Sequence, residues 1–494
     1  MELAPPPRRR LSRPRYTPAG LREWVLGWRP ELVVLVVLAL ITRTFNVTSP
    51  HAVVFDEVYF KTDTGDYLTH QFYFDPHPPL AKELLALWAW ITRQDGAAMV
   101  AGAPAVTVRY LPAVAGALLV PVVWAILRQL RASRRVAFLG AAAVLLDNAL
   151  IVESRFILTD SMLLLFGLTA VSLYLASRHR QGVKYWAFVV GAALFAGAAV
   201  STKWTGLTAG GLIGLIWCYD LLRAGRYSRA PGWWRRPLGI AVIFAILPIG
   251  VYVGAFWIHF ALLTKVGNTN DLGWMPADFA KTLKGSSTYD PNFHMSLIRK
   301  VIDSYNGSKQ YEAAVTKIGH PYGSTWNQWP LENRDLYFWA GATGADGTQG
   351  NIYLLGNPAV WWGAVAGLIV VVAGLITRAR RFSGYYFALA VLGVGYLANW
   401  LPFERIQRVM FLYHYLFALI YSIGFAVLGV GVLVGWNAED DRVFWSRWDS
   451  KKDVLYVLVL AAMIGCYFYF APLTYGTPLS PSGLMNRMWL SKWR

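Results

Sequence analysis

Two adjacent carboxylates, Asp56 and Glu57, stand in the stretch VVFDEVYFK, among aromatic and branched residues just after an apolar run. A carboxylate at such a place can accept a proton from an incoming hydroxyl group. Neighbouring side chains point in directions that differ by about 100° in a helix and about 180° in a strand, so they do not face one another across a bond as glycosidase carboxylates do. We expect one to act as a base and the other to orient the loop or pair with a cation. The alternative is an interfacial turn with two solvated acids.

Three cations on turns that are predicted to lie on the same membrane face could hold an anion beside this pair. ESRFILTD contains Arg155, STKWTG contains Lys203 and PFERIQR contains Arg408. A charge at membrane depth costs about 3 kcal/mol unless it is paired or hydrated, so each is a candidate for function. Arginine and lysine hold phosphate oxygens, and the combination suits transfer from a lipid phosphate to an alcohol. The alternative is salt-bridged packing, with Asp160 or Glu153 as local partners of Arg155.

The composition indicates what kind of protein must position these residues. Of 494 residues, 56% are hydrophobic and 15% are charged, which is typical of a polytopic membrane protein. A membrane-spanning helix needs roughly 20 predominantly apolar residues, and this criterion predicts an all-α protein with eleven spans. The predicted spans are 31–46, 106–127, 136–152, 157–177, 185–202, 205–222, 238–263, 359–377, 384–401, 409–435 and 454–473.

The positions of the basic residues, which give the net charge of +18, match this arrangement of spans. Arginine and lysine cluster before the first span and in every second connection after it, which is the positive-inside pattern. It predicts a cytoplasmic N-terminal segment at 1–30, an outer C-terminus and an active site on the outer face of a cell membrane. Because the charge is explained by topology, nucleic-acid binding is not expected.

Two outer loops, 47–105 and 264–358, are long and rich in Trp, Tyr, Pro and His, so we expect them to be ordered. With the spans they would form one catalytic domain over 31–473. HPPLAKELLALWAWIT in the first loop predicts a helix that lies in the membrane interface. The C-terminal segment 474–494 is predicted to be either an outer interfacial anchor or part of an acceptor groove.

The sequence also bears on the donor and on metals. Nucleotide-activated donors are made inside the cell, so an outer transferase is best served by a group attached to a carrier lipid, and the chain contains no Gly-rich phosphate loop. Acidic and histidine residues share the first outer loop, yet no HExxH or Cys/His metal spacing occurs. We expect that no cofactor and no divalent cation are required.

Six blocks, in order along the chain, carry a resemblance to a known family. FDEVYF, HPPLAK, SRFILTDSMLLLF (154–166), STKWTGL, HPYGSTWNQWPL (320–331) and RVMFLYHYLFAL (408–419) resemble the protein O-mannosyltransferases. The resemblance implies a GT-C glycosyltransferase fold with the active site on the outer face. It also implies inverting transfer of mannose from polyprenyl phosphate mannose to Ser or Thr hydroxyls of proteins crossing the membrane.

The resemblance assigns roles residue by residue. The family's Asp-Glu motif falls on Asp56 and Glu57, with Asp56 as the better candidate for the base. The family's essential arginine falls on Arg155, and Lys203 and Arg408 match basic positions near the donor phosphate. Further donor or acceptor contacts are expected from Lys61, His77, Asp160, His320, Tyr322, Trp326, Arg405 and His414.

The second outer loop is too short for the β-trefoil domain of eukaryotic members, so the chain resembles the actinobacterial branch. One alternative is a related GT-C transferase that moves a lipid-linked sugar to a lipid or glycan acceptor. Another is a transporter of lipid-linked anions, with Asp147, Asp160 and Lys203 along its path. The chain lacks the half-matching repeats that transporters often contain. Acceptor proteins are expected to react before they fold, during export.

Overall fold

The computed structural model describes residues 29–227, 232–316, 319–437 and 450–493. Most of this part of the chain is helical. The α-helices are α1 (Pro30–Thr44), α2 (Glu57–Thr69), α3 (Leu80–Ile91), α4 (Gly96–Val100), α5 (Tyr110–Gln129), α6 (Arg134–Leu146), α7 (Asn148–Arg155), α8 (Asp160–Ser177), α9 (Gly182–Thr202), α10 (Leu207–Tyr227), α11 (Arg235–Leu262), α12 (Thr269–Leu272), α13 (Leu297–Val315), α14 (Pro358–Thr377), α15 (Tyr386–Ala398), α16 (Leu416–Val434), α17 (Ser450–Tyr475) and α18 (Pro481–Met485). Strands β1 (Leu336–Ala340) and β2 (Asn351–Leu354) form an antiparallel pair with an irregularity between Tyr337 and Trp339.

The predicted multi-spanning helical fold is confirmed. Within the described ranges, nine helices are long and apolar enough to cross a membrane, and α6 with α7 makes a tenth if this pair, bent by 54°, is one span. The first predicted span, 31–46, corresponds to α1, which has 15 residues. That length is below the roughly 20 residues of a full span. The basic segment 1–28 and the basic residues within 228–231 and 438–449 lie outside the described residues.

The bend between α6 and α7 is held by a buried polar cluster. Asp147 begins α7, and its carboxylate accepts hydrogen bonds from the backbone N–H of Asn357 at 3.0 Å and from Nε1 of Trp361 at 2.7 Å. Arg43 of α1 donates to the last carbonyls of α6 at 2.9 and 3.2 Å. Backbone groups released by a break at membrane depth need such partners. Asp147 therefore stabilises the bend, which is a structural explanation for a residue that the transporter alternative placed on a path.

Both long loops, 47–105 and 264–358, contain secondary structure in their described residues. The first contains α2, α3 and α4, and the second contains α12, α13 and the β1–β2 hairpin. In α3 the buried face includes Lys82 and Glu83, whereas Leu87, Trp90 and Ile91 are exposed. An apolar exposed face suits a helix that lies in the membrane interface, and that location stays a prediction.

The C-terminal segment packs onto the second outer loop. Trp493 is fully buried, and its Nε1 donates to the carbonyl of Glu332 at 2.6 Å. Leu479 forms an isolated antiparallel bridge with Gln349, next to β2. Trp489 remains 45% exposed. The C-terminal segment thus connects the end of α17 to the loop that contains β1 and β2. This role differs from both predicted alternatives, an interfacial anchor and part of an acceptor groove.

The helix packing brings two polar helix ends together. Helices α8 and α9 lie against one another, and α8 begins at Asp160 while α9 ends just before Lys203. The end of α7 precedes Asp160 by a short turn, and the β1–β2 hairpin packs against α7. The first long loop lies at the same end of the bundle, so Asp56 comes near Asp160 and Lys203.

Candidate active site

Glu57 is the fixed member of the acidic pair. Its carboxylate accepts from Nε and Nη2 of Arg109, both at 2.7 Å, and from the backbone N–H groups of Val54 and Ile157, both at 2.9 Å. Glu57 and Arg109 are almost completely buried. Arg109 also donates to backbone carbonyls of the turn after α1. Glu57 therefore orients the loop and pairs with a cation, which is one of the two tasks expected of the pair.

The backbone before Asp56 is strained and held by aromatic packing. Phe55 has a φ of +48°, a left-handed conformation that costs a bulky residue about 1 to 2 kcal/mol. Its ring stacks on Phe338 of β1 with centroids 4.5 Å apart, and it meets Phe411 edge to face at 6.2 Å. Such strain persists where the surroundings impose it, often at functional sites. The hairpin in the second outer loop thus helps to set the direction of the next side chain, Asp56.

Asp56 is half-buried, and its carboxylate makes no hydrogen bond to any of the described residues. Burial raises the pKa of Asp56 to about 6, while the ammonium group of Lys203 lowers it and the carboxylate of Asp160 raises it. The charges of Lys203 and Asp160 thus act on Asp56 although the three residues come from distant parts of the sequence. A carboxylate with a free acceptor and a raised pKa is well suited to accept a proton.

Asp160 and Lys203 form a buried ion pair at the meeting of α8 and α9. The Nζ atom of Lys203 lies 3.1 Å from both carboxylate oxygens of Asp160, and it lies over the ring of Tyr413 at 5.2 Å. Glu153 of α7 is buried nearby and interacts electrostatically with both members of the pair and with Asp56. Asp160 therefore pairs with Lys203 and not with Arg155, and the local pairs considered for Arg155 are not formed.

A cavity of about 250 Å³ opens beside this ion pair. Its polar end is formed by Asp160 and Lys203, and most of its remaining wall is apolar or aromatic. The wall residues include Leu163, Leu164, Trp204, Pro402, Phe403, Ile406, Tyr413 and Phe417. A cavity with one charged end and apolar walls suits an amphiphilic ligand with a small charged head, such as a lipid phosphate.

The loop between α2 and α3 brings a second set of charges to the site. Lys82 lies 2.8 Å from Asp75 and also donates to the carbonyl of His77 at 3.3 Å. Burial lowers the pKa of His77 to about 3, against the attraction of Asp75, and the cations Lys203, Lys82 and Arg408 lower it further. His77 is consequently neutral at physiological pH, so it can contribute hydrogen bonds to a ligand but no positive charge.

Arg408 reaches the same region from the segment before α16. Its Nε lies 3.1 Å from Oε2 of Glu312 in α13, and its charge acts on both His77 and Tyr413. The side chain is partly exposed. A partly exposed cation with one acidic partner can turn toward an incoming anion at modest cost. The contact of Arg408 with a donor phosphate stays a prediction.

Arg155 lies in a different environment from the one predicted. Its guanidinium donates to the backbone carbonyls of Arg43 at 3.3 Å, Phe45 at 2.5 Å and Asn46 at 3.0 Å, and it lies over the ring of Tyr475 at 4.6 Å. It does not line the cavity beside Lys203. In this structure Arg155 fixes the turn that follows α1, and its contact with a donor phosphate stays a prediction from the resemblance.

The other predicted contact residues divide between the cavity and its surroundings. His414 lines the cavity, where its ring stacks on Tyr413 at 4.5 Å. His320 is exposed and meets the edge of Phe411 at 5.0 Å, so it lies on the outer side of the Phe55 cluster.

The remaining four lie farther out or point away from the cavity. Tyr322 stacks on Tyr337 at 5.9 Å, and Trp326 packs on Trp400 at 5.2 Å. Lys61 is turned away and donates to the carbonyl of Met99 at 2.5 Å. Arg405 is exposed and lines a separate shallow groove rather than the cavity. The expectation of direct contacts from Lys61 and Arg405 therefore disagrees with their placement.

Sequence reasoning missed three residues that support the site. Arg109 holds Glu57, Lys82 holds Asp75 and Glu312 holds Arg408. Arg109 could have been found, because it is a cation at the outer end of a predicted span, where the positive-inside pattern predicts few. Lys82 lies in α3, where the apolar pattern predicts a helix but does not indicate a role for the lysine. In the described part of the chain, no group of three or more His, Cys, Asp or Glu side chains has a geometry that could hold a metal ion.

Comparison with known sequences gives matches along most of the chain. Residues 33–264 match the family described as dolichyl-phosphate-mannose-protein mannosyltransferase, and 297–493 match the family described as the C-terminal four-transmembrane region of protein O-mannosyltransferase. Protein O-mannosyltransferase 1 of Drosophila pseudoobscura pseudoobscura is 33% identical over 268 residues, covering 51% of this chain and 29% of the relative. The polyprenol-phosphate-mannose–protein mannosyltransferase of Mycolicibacterium smegmatis is 25% identical over 521 residues, covering 95% of this chain and 93% of the relative. The chain spans about a third of the length of the fly and rat relatives, from 29% to 36%.

Two solved structures have a similar fold. The protein O-mannosyltransferase Pmt1-Pmt2 complex of S. cerevisiae, bound to the sugar donor, superposes with a TM-score of 0.83 at 18% identity, covering 97% of this chain and 93% of that one. The oligosaccharyltransferase of Archaeoglobus fulgidus in its apo form superposes with a TM-score of 0.54 at 12% identity, covering 92% of this chain and 56% of that one. At these identities the likeness concerns the fold alone.

Proposed function

Because the chain belongs to the protein O-mannosyltransferase family, we propose that it transfers mannose from a polyprenyl-phosphate mannose donor to Ser or Thr hydroxyl groups of polypeptides. One observation carries the proposal. The unbonded carboxylate of Asp56 interacts with the Asp160–Lys203 pair at the polar end of a cavity with apolar walls. A proton acceptor beside a cavity that has apolar walls and the Lys203 ammonium group in its polar part meets the needs of this reaction.

In the proposed reaction the donor phosphate lies against Lys203 and Arg408, and its isoprenoid chain follows the apolar wall of the cavity. Asp56 takes the proton of the acceptor hydroxyl while the oxygen attacks the anomeric carbon of mannose. The bond from that carbon to the phosphate oxygen breaks, and the polyprenyl phosphate leaves with the bonding electrons. Attack opposite the leaving phosphate inverts the anomeric carbon.

The charges of the site suit this sequence of events. The leaving phosphate gains negative charge, and cations that are already in place stabilise it without reorganisation. Asp160 holds Lys203 at the end of α9 before the donor arrives, with both distances at 3.1 Å. Glu57, which is bound to Arg109, has no free acceptor for a proton, so we assign the base to Asp56 and the orienting role to Glu57.

We further propose that the site faces outward from a cell membrane, with the N-terminus in the cytoplasm. The support is the basic residues in alternate connections, whose side is set during insertion. Polypeptide acceptors then reach the site as they leave the membrane. An unfolded chain presents its hydroxyls more readily, which favours modification during export.

The test is transfer of radiolabelled mannose from synthetic polyprenyl-phosphate mannose by purified protein, with a Ser/Thr-rich peptide, a peptide with Ala at every Ser and Thr, and a lipid or glycan acceptor offered in parallel. We expect label only on the peptide that carries hydroxyls. Label on the lipid or glycan acceptor alone would replace the proposal by the related GT-C reaction. Movement of intact donor across proteoliposome membranes without transfer would support a transporter.

A further inference from the structure

A second, larger cavity lies at the opposite end of the bundle from Asp56. It has a volume of about 770 Å³ and lies among the ends of α8, α10, α11 and α15. Helix α8 begins at Asp160 and has 18 residues. At 1.5 Å per residue its far end, where this cavity lies, is about 27 Å from the candidate active site. The two cavities share no lining residue.

Cations dominate the charged lining of this cavity. Arg178 is bound to Asp220 through two hydrogen bonds of 2.9 and 2.7 Å, and its guanidinium stacks on Phe387 at 4.1 Å. Arg178 therefore neutralises Asp220, the acidic residue in the lining of this cavity. The side chain of His179 lies next to it and is exposed.

Three further arginines line the cavity with exposed side chains, Arg131, Arg223 and Arg236. Arg131 donates to the carbonyl of Gly384 at 3.4 Å, Arg223 to the hydroxyl of Tyr219 at 3.3 Å, and Arg236 lies over a tyrosine ring at 4.8 Å. Within the described residues none of the three has an acidic partner. Their guanidinium groups retain donors that match the oxygens of a phosphate.

The rest of the lining indicates a ligand that is not only an anion. Trp217, Trp233, Ile240 and Pro237 contribute apolar surface beside the arginines, and Trp233 is 41% exposed. Tryptophan and tyrosine near the ends of membrane-spanning helices are typical of the boundary between lipid and water. Free phosphate or a soluble phosphate ester would use the cations and leave this apolar surface exposed to water. A lipid would cover it with its glycerol backbone and the upper part of its acyl chains.

We propose that this cavity binds the headgroup of an anionic phospholipid from the membrane leaflet opposite the active site. The phosphodiester would lie against Arg131, Arg223 and Arg236, and the acyl chains would leave between the helices toward the bilayer. Basic pockets between membrane helices on the cytoplasmic side bind such headgroups in other proteins. The inference does not depend on the transferase activity, because it concerns separate residues at the other end of the bundle.

The test is a titration of the purified full-length protein, in detergent micelles, with phosphatidylglycerol, phosphatidylcholine or glycerol 1-phosphate. Retained lipid is counted by native mass spectrometry. The test variant is Arg131→Gln/Arg223→Gln/Arg236→Gln, and the matched control is Arg180→Gln/Arg378→Gln/Arg380→Gln, which removes the same charge from nearby exposed positions outside the cavity lining. Thermal unfolding without added lipid reports whether each variant folds, and the single variant Arg223→Gln serves if the triple variant does not.

We expect wild type and control to retain phosphatidylglycerol in preference to phosphatidylcholine, and the test variant to bind it about tenfold or more weakly. Arg223→Gln alone should weaken binding by about threefold or more. Equal affinity of test and control variants would overturn the site. Equal retention of the two lipids, or displacement of phosphatidylglycerol by glycerol 1-phosphate at equal concentration, would overturn the assignment to an anionic lipid.

Discussion

At the scale of single residues, Asp56 and Glu57 are neighbours with opposite surroundings. Glu57 has four hydrogen bonds from buried donors, including the two from Arg109. Asp56 has no such partner among the described residues and interacts only across space with Lys203 and Asp160. We therefore assign proton transfer to Asp56 and a structural role to Glu57.

The raised pKa of Asp56 predicts how transfer depends on pH. A base works only when deprotonated, and burial brings its pKa to about 6, so kcat/KM should fall as the pH drops below about 6 and level off above it. The phosphodiester of the donor keeps its charge throughout this range. The measurement is kcat/KM for mannose transfer between about pH 5 and pH 8. A rate independent of pH across this range would contradict the assignment of Asp56.

The buried pair of Glu57 and Arg109 predicts a loss of stability rather than only of activity. Glu57→Gln leaves the buried charge of Arg109 without compensation, which costs about 3 kcal/mol or more. Thermal unfolding of the purified protein, followed by tryptophan fluorescence, should show a clearly lower midpoint. Asp56→Asn is the matched control and should unfold near the wild-type temperature. Equal midpoints for the two variants would show that Glu57 does not hold the loop.

At the scale of elements, the ends of α8 and α9 deliver the charges of the site, and the end of α7 holds the turn after α1. Asp160 begins α8, Lys203 follows α9 and Arg155 ends α7. All three side chains lie at helix termini, and these termini meet at one end of the bundle. The bend at Asp147 is what sends α7 to this end.

These positions predict different results for two cations. Lys203→Gln removes the proposed charged contact to the donor phosphate, and such a contact is worth roughly 1.5 to 3 kcal/mol, so the KM for the donor should rise about tenfold or more. Arg155→Gln removes bonds to the carbonyls that follow α1, so it should lower the unfolding temperature and leave the donor KM within about twofold. The measurements are donor titrations and thermal unfolding of both variants.

Lys184→Gln is the control for Lys203→Gln, since Lys184 is an exposed lysine near the other end of the same helix, α9. Its donor KM should equal that of the wild type. An Arg155→Gln variant with a donor KM raised as far as that of Lys203→Gln would favour the phosphate contact that the resemblance implies. The hydrogen bonds seen for Arg155 would then be only part of its role.

At the scale of the whole molecule, the sequence predicts the bundle better than it predicts the partners inside it. Apolar windows depend on local composition, so nine of the eleven predicted spans correspond to helices long enough to cross a membrane, whereas 31–46 forms a 15-residue helix and 136–152 is broken into the bent pair α6 and α7. The pairing of Glu57 with Arg109 joins positions 52 residues apart and depends on how the loop folds back on the bundle. The hydrophobic periodicity of the sequence does not predict the contact between Glu57 and Arg109. The direction of Arg155, toward backbone carbonyls rather than the cavity, likewise depends on the neighbouring turn and not on its own motif.

The orientation of the molecule can be tested with single cysteines. In a Cys218→Ala/Cys466→Ala background, Ser482→Cys lies in the exposed C-terminal segment and Arg180→Cys at the opposite end of the bundle. A membrane-impermeant maleimide added to intact cells should label Cys at position 482 and leave position 180 unlabelled until the cells are lysed. The basic connections set this expectation. The reverse pattern would put the candidate active site inside the cell.

The most direct test of the central claim is single-turnover transfer of labelled mannose to a Ser/Thr peptide at saturating donor, comparing wild type, Asp56→Asn and Glu404→Gln, each with and without EDTA. Glu404 is an exposed carboxylate outside the cavity. We predict that Asp56→Asn slows transfer about 100-fold or more while donor binding stays within about threefold, that Glu404→Gln matches the wild type, and that EDTA changes none of the rates. Transfer by Asp56→Asn near the wild-type rate would contradict the assignment of Asp56 as the base.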